Sequence, residues 1–233
     1  MGVLLIVLAL CALAMQPELR ARIAQAGREG LAAVQAFAQT AGDDSAQAEL
    51  TLPEMKVWAL QLGVFDSGES AAQEQRRLAA EGVPCVVWQR ERMRLICGVA
   101  LSRDGLDAQA AGGRESYVVQ ETLPEVRLRL TASQGELEDA LSLLRLPDAL
   151  LTALLGDGQT LDALVSGTEQ QAGRALSAHP ENELYTQLAQ SLVNWCALMR
   201  QTAQGSDAQT ARIYAQTTMC TLCRELRRAL SGA

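Results

Sequence analysis

This sequence has a single histidine, only 3% aromatic residues and no surplus of positive charge. Each shortage excludes something. His179 stands alone beside Pro180, and no glycine-rich phosphate loop, nucleophile elbow or clustered carboxylate pair accompanies it. Nothing therefore places a nucleophile beside its base, and the chain reads as non-enzymatic and without a cofactor. Glu136, Glu138 and Asp139 are close in sequence, but they fit the solvated side of a helix. A formal net charge of -7 argues against nucleic acid, whose binding needs a basic face. It leaves an uncharged polysaccharide or a protein partner open. A metal site is not expected either. Cys220 and Cys223 have Cys-x-x-Cys spacing, but they fall one turn apart on or beside the apolar seam of a helix, and no second Cys-x-x-Cys exists. Free cysteine is a common core residue, which is the reading we carry forward.

What is present is alanine and leucine. With 48% hydrophobic residues over 233 positions, the composition points to an Ala/Leu-rich helical protein of one or two domains. Residues 1–15 form a membrane anchor or signal segment. Gly2 to Met15 is apolar and uncharged, but shorter than the ~20 residues that cross a bilayer as a helix. A membrane anchor is the first reading, a signal peptide cut after Ala14 the second and a buried helix the third. Arg20, Arg22 and Arg28 follow the run and would, by the positive-inside tendency, hold the next segment cytoplasmic. Residues 16–52 read as a helix running to Thr40, then a break at Ala41 to Ser45 and a linker ending at Pro53.

The best punctuated stretch is Val57 to Leu101, where apolar periodicity changes from two to about 3.6 and back to two. It predicts strand, helix, strand, strand. In the first strand, Trp58, Leu60, Leu62 and Val64 fall on one face; Val57, Ala59, Gln61 and Gly63 fall on the other. Gly82 and Pro84 stop the helix, and the charged tip Arg90-Glu91-Arg92 makes a hairpin of the next two strands. A turn centred on Glu91 sets Trp88 opposite Arg94 and Cys85 opposite Cys97. Trp88, Arg94 and Gln61 then share a face, and a ring beside hydrogen-bonding groups is a plausible sugar platform. The alternative is that Trp88 covers the hairpin and the other two are solvated or locally bonded. Val57, Ala59, Val86 and Ile96 make that face apolar for an exposed sheet, so a ligand or another part of the chain is expected to rest on it.

VWALQLGVFDSGESAAQEQRRLAAEGVPCVVW, followed by RLICGVALSRDGLDAQA, resembles the SPOR domain, a peptidoglycan-binding family. LQLGVF is similar to its first strand, an aliphatic residue followed by Gln-x-Gly-x-Phe. The resemblance runs from about Lys56 to Thr122. It implies a β-α-β-β-α-β four-stranded antiparallel sheet with two helices on one face, and an open face that holds glycan strands stripped of stem peptides. The resemblance aligns Gln61 and Arg94 with the family's glycan-holding positions and sets Ile96 where a second arginine is common; with the ring of Trp88 from the shared face, the expected glycan-binding residues are Gln61, Trp88, Arg94 and Ile96. Met93 stands where a tyrosine is usual and Val99-Ala100 where Pro-Phe is expected. The family's second helix is expected from Ser102 to Ala111, and Ser116 to Leu123 as its fourth strand; VRLRLT, 126–131, reads as one strand more.

From Ser133 the pattern is helical. Ser133 and Glu136 form a capping box, Pro147-Asp148 restarts a short helix, and Thr160 to Ala178 is a third. Pro180 opens a fourth, with Tyr185, Leu188, Leu192, Trp195 and Met199 as its seam. Ser206 and Gln209 mark a capping box before the last helix. The expected whole is an α+β protein: a SPOR-like domain at 53–131 and an α-helical domain at 132–233, anchored to the membrane with its main domains outside the cytoplasm, the family resemblance outweighing the three arginines. Its expected partners are peptidoglycan glycan strands and a protein met by the helices. A protein-interaction scaffold whose sheet is covered and no longer binds glycan is the alternative.

Overall fold

The computed structural model describes residues 46–106, 113–156, 158–178, 180 and 183–231. Over these the chain is α+β, with two antiparallel sheets and five α-helices. The strands are β1 (Ala46–Leu52), β2 (Met55–Phe65), β3 (Val86–Gln89), β4 (Met93–Ala100), β5 (Tyr117–Leu123) and β6 (Val126–Ala132). The helices are α1 (Gly68–Ala80), α2 (Gln134–Leu155), α3 (Leu161–Ala178), α4 (Glu183–Gly205) and α5 (Ala208–Ser231). The expected anchor at 1–15, the helix to Thr40 and His179 lie outside the described residues.

The linker expected up to Pro53 is in fact a strand for most of its length. AQAELTL alternates strictly, burying Leu50 and Leu52 while Gln47, Glu49 and Thr51 face solvent. Pairing with β6 sets Leu50 opposite Leu128 and Glu49 opposite Arg129, so apolar and opposite-charge pairs separate onto the two sides of a ribbon. VRLRLT, expected as one strand more, is the partner that this ribbon needs.

The four-stranded sheet has the order β3-β4-β2-β5. Ser67 caps α1, its hydroxyl accepting from Ser70 N at 3.1 Å, and Gly82 at φ 76° carries the chain out of the helix in a conformation that glycine adopts without strain. Of the second helix expected from Ser102 to Ala111, Arg103–Gly105 is a single 3-10 turn and 107–112 lie outside the described residues.

Strand β2 does not keep one parity. Leu60 pairs with Gly98, Gln61 with Ile96 and Gly63 with Leu95, so Cys97 and Leu62 are each one residue extra. Val64 consequently opposes Arg94 and leaves the face of Leu60 on which simple alternation placed it. One side of the sheet packs Leu60, Cys85, Leu95 and Cys97 against Leu78 of α1. The other side holds Val57, Ala59, Val86, Trp88, Ile96 and Val99, and these belong to one continuous core with the C-terminal helices.

Helix α2 runs unbroken through Pro147, where a restart was expected. An interior proline disfavours a helix by about 3 kcal/mol, and burial of Leu143, Leu144, Leu150, Leu151 and Leu154 along one stripe holds the two halves in line. The Ser133–Glu136 box forms, with Ser133 N donating to Glu136 Oε2 at 3.2 Å. At α5 the cap is Asp207 instead of Ser206, its carboxylate accepting from Thr210 N at 2.9 Å. Among the described residues no helix is long and apolar enough to cross a membrane.

Candidate functional site

Helix α5 lies against the sheet face that carries the expected glycan residues. It is buried nearly all round. Met219, Cys220, Leu222 and Cys223 join the core that contains Trp88 and Ile96.

The hairpin register is the expected one: Trp88 opposes Arg94 and Val86 opposes Ile96. Gln61, Trp88, Arg94 and Ile96 are therefore brought to one face. Arg94 Nη1 donates to Gln61 Oε1 at 3.1 Å, so those two side chains touch. Trp88, however, is 5% exposed and Ile96 fully buried, and Gln61 is buried as well. The indole N–H of Trp88 donates to Thr221 Oγ1 of α5 at 3.0 Å, and the Thr221 hydroxyl in turn donates to Thr217 O at 2.9 Å. The ring that was to stack on a sugar has its polar tip satisfied by a helix of the same chain.

Two charged clusters fasten the same helix. Arg90 places its guanidinium 5.0 Å from the centroid of the Trp88 ring and pairs with Glu121 of β5. Glu121 also lies 3.8 Å from Arg224 Nη1, and Arg224 Nε donates to Glu225 Oε1 at 3.0 Å. One turn further along α5, Arg227 is wholly buried. Its Nη2 meets Asp148 Oδ2 of α2 at 2.5 Å, and its Nη1 donates to Pro53 O at 2.8 Å and to Pro124 O. Pro53 and Pro124 lie in the β1–β2 and β5–β6 connections, so one guanidinium ties the ribbon, the sheet and two helices together. A buried arginine left without partners would be very costly; both Nη atoms of Arg227 converge on carbonyls and a carboxylate, while its Nε is buried without a hydrogen-bond partner.

Thr221, Arg224 and Arg227 recur every third residue and so share a side of α5. Nothing in the sequence singled them out, nor Glu121 and Asp148. RELRRAL reads as a basic, solvated last turn suited to the helix dipole; only the fall of Arg227 beside the apolar stripe hinted otherwise.

Cys220 and Cys223 are buried free thiols of α5. Burial pushes Cys220 up to about 12 and Cys223 well above its ordinary value, with Glu121 and Asp148 respectively adding to the effect. The shift favours the protonated thiol over the thiolate that attacks or ligates. Among the described residues no group of three or more His, Cys, Asp or Glu side chains is arranged to hold a metal ion.

No protein-family model matches this chain, and no curated protein or solved structure shows significant similarity to it.

Proposed function

We propose that this chain is a non-enzymatic interaction scaffold in which a SPOR-like sheet serves as the seat of its own C-terminal helices in place of a glycan strand. One observation carries the reading: Trp88 is 5% exposed and hydrogen-bonded to Thr221 on α5. A sugar needs the ring face and the polar groups beside it, and both are engaged. Because α5 is enclosed by α2 as well as by the sheet, it belongs to the core and is no lid that lifts at small expense. The partner of such a scaffold is a protein, met through the C-terminal helical domain.

The SPOR-like arrangement itself is part of this proposal. The order β5-β2-β4-β3, with α1 joining β2 to β3, supports a β-α-β-β-α-β plan. A place in the cell envelope, anchored in the membrane through Gly2 to Met15 with the main domains extracytoplasmic, in division or sporulation, is carried by that resemblance and by the apolar run.

Recognition of denuded peptidoglycan remains the second reading, favoured by one feature. Gln61 and Arg94 are joined at 3.1 Å, and Tyr117, which pairs with Gln61 on β5, is 54% exposed. Co-sedimentation of the full chain with purified peptidoglycan, native and amidase-stripped, separates the two. The scaffold reading expects the folded chain to stay in the supernatant with both. Pelleting that rises on stripped glycan and falls in Gln61→Ala would establish the second reading.

A further inference from the structure

We propose that Cys85 and Cys97 are a thiol pair placed to close as a cross-strand disulfide when the chain folds under oxidising conditions, an inference independent of the scaffold reading. The hairpin register carries it. The β3–β4 pairing ends with Val86 opposite Ile96; Cys85 immediately precedes β3 and Cys97 is the next residue of β4, so continuing the ladder by one step would bring the two together. Directly opposed residues in such a pair have Cα atoms about 4.5 or 5.5 Å apart. A disulfide spans Cα separations of about 4.4–6.8 Å, a range that covers both kinds of directly opposed pair. Both side chains point to the same side of the sheet, where they pack in one small cluster with Leu60, Leu78, Val83 and Leu95. The backbone on the Cys85 side is held by Gln75 Nε2, which donates to Cys85 O at 2.9 Å. Cys97 donates its S–H to Leu60 O at 3.5 Å.

No other described cysteines have this relation. Cys220 and Cys223 lie one turn apart within α5, whose backbone is fixed, and Cys196 is spent on Val165 O in the helical half. Both hairpin thiols are present as free thiols.

The step is an ordinary exchange with a small-molecule disulfide such as oxidised glutathione. One cysteine thiolate attacks it and releases one glutathione thiol; the second attacks the protein sulfur of the mixed disulfide and releases the other. Two S–H bonds are lost, one S–S bond forms, and the oxidant leaves as two thiols. Burial raises the thiol of Cys85 to about 12, with the neighbouring Cys97 contributing next, and burial raises Cys97 to about 11. Exchange therefore belongs to the folding chain, before α1 seals the cluster. The bridge would staple the hairpin bearing Trp88, Arg90 and Arg94.

The test is refolding of the full chain from denaturant with oxidised and reduced glutathione, followed by non-reducing peptide mapping by mass spectrometry and a thiol count in denaturant. The chain has six cysteines, so the count is expected to fall to four. A linked peptide pair containing Cys85 and Cys97 should dominate, and the melting midpoint should rise by roughly 5 °C or more, reversed by dithiothreitol. In Cys97→Ala the thiol count should not change with oxidant. Six free thiols in the refolded unmutated chain, or a dominant Cys220–Cys223 or interchain linkage, would overturn the proposal.

Discussion

Trp88 and Thr221 stand 133 positions apart in the chain, and the indole N–H of one donates to the hydroxyl of the other at 3.0 Å. This bond joins the hairpin of the sheet to the middle of α5. Around it the apolar face of the sheet, which composition alone marked as needing a cover, finds that cover within the same polypeptide.

Thr221→Val keeps the shape of the side chain and removes the acceptor, leaving the indole N–H buried without a partner. Stability to urea should fall by about 1–3 kcal/mol. Trp88→Ala should cost about 3–5 kcal/mol, because it opens a cavity between sheet and helix. If Trp88 were a ring awaiting a ligand, its loss would leave the urea midpoint of the free chain nearly unchanged.

Arg227 and Asp148 should behave as a buried pair. Arg227→Ala strands the Asp148 carboxylate beside Cys223 and should destabilise by about 3–5 kcal/mol. Replacing both, as Arg227→Met with Asp148→Leu, should recover much of that loss, since no charge is then left uncompensated. Denaturant titrations of the three variants and the parent give the double-mutant cycle. Additive losses in the double variant would contradict the pairing.

The buried thiols make stability fall at alkaline pH. In the unfolded chain thiols ionise near 9.0, whereas burial holds Cys85 and Cys220 protonated up to about 12 and Cys97 and Cys196 up to about 11. Above the unfolded value the unfolded state binds fewer protons than the folded one, so stability is fully present below about 9 and is lost as pH rises towards 12. Urea unfolding at pH 8, 9 and 10 should show a progressive fall. Replacing Cys85 and Cys220 together by alanine should flatten that fall.

The sheet was legible because its signals are local. LQLGVF, the stop at Gly82 and the charged tip at Glu91 each name a strand, a helix end or a turn, and the register they imply puts Trp88 opposite Arg94 as found. The double irregularity at Leu62 and Cys97 was not legible, because an extra residue on each strand leaves the alternation of either one looking regular. Strand β1 was hidden by alanine, which reads as helix or linker until β6 supplies a partner for Leu50 and Leu52. Of the fastening of α5, only the fall of Arg227 beside the apolar stripe was legible. Arg224 and Arg227 look like solvated charges at a helix end until Glu121 and Asp148 arrive from distant elements.

Hydrogen exchange, followed by mass spectrometry on the full chain, tests the central claim that α5 is core to the sheet. If α5 and β4 open together, peptides from Ala208–Ser231 and Met93–Ala100 should share one high level of protection, and Arg227→Ala should lower both alike. Exchange of α5 on a much faster scale than β4, with β4 indifferent to Arg227→Ala, would mean a helix that lifts away from an intact sheet, and the face beneath it would again be a binding surface.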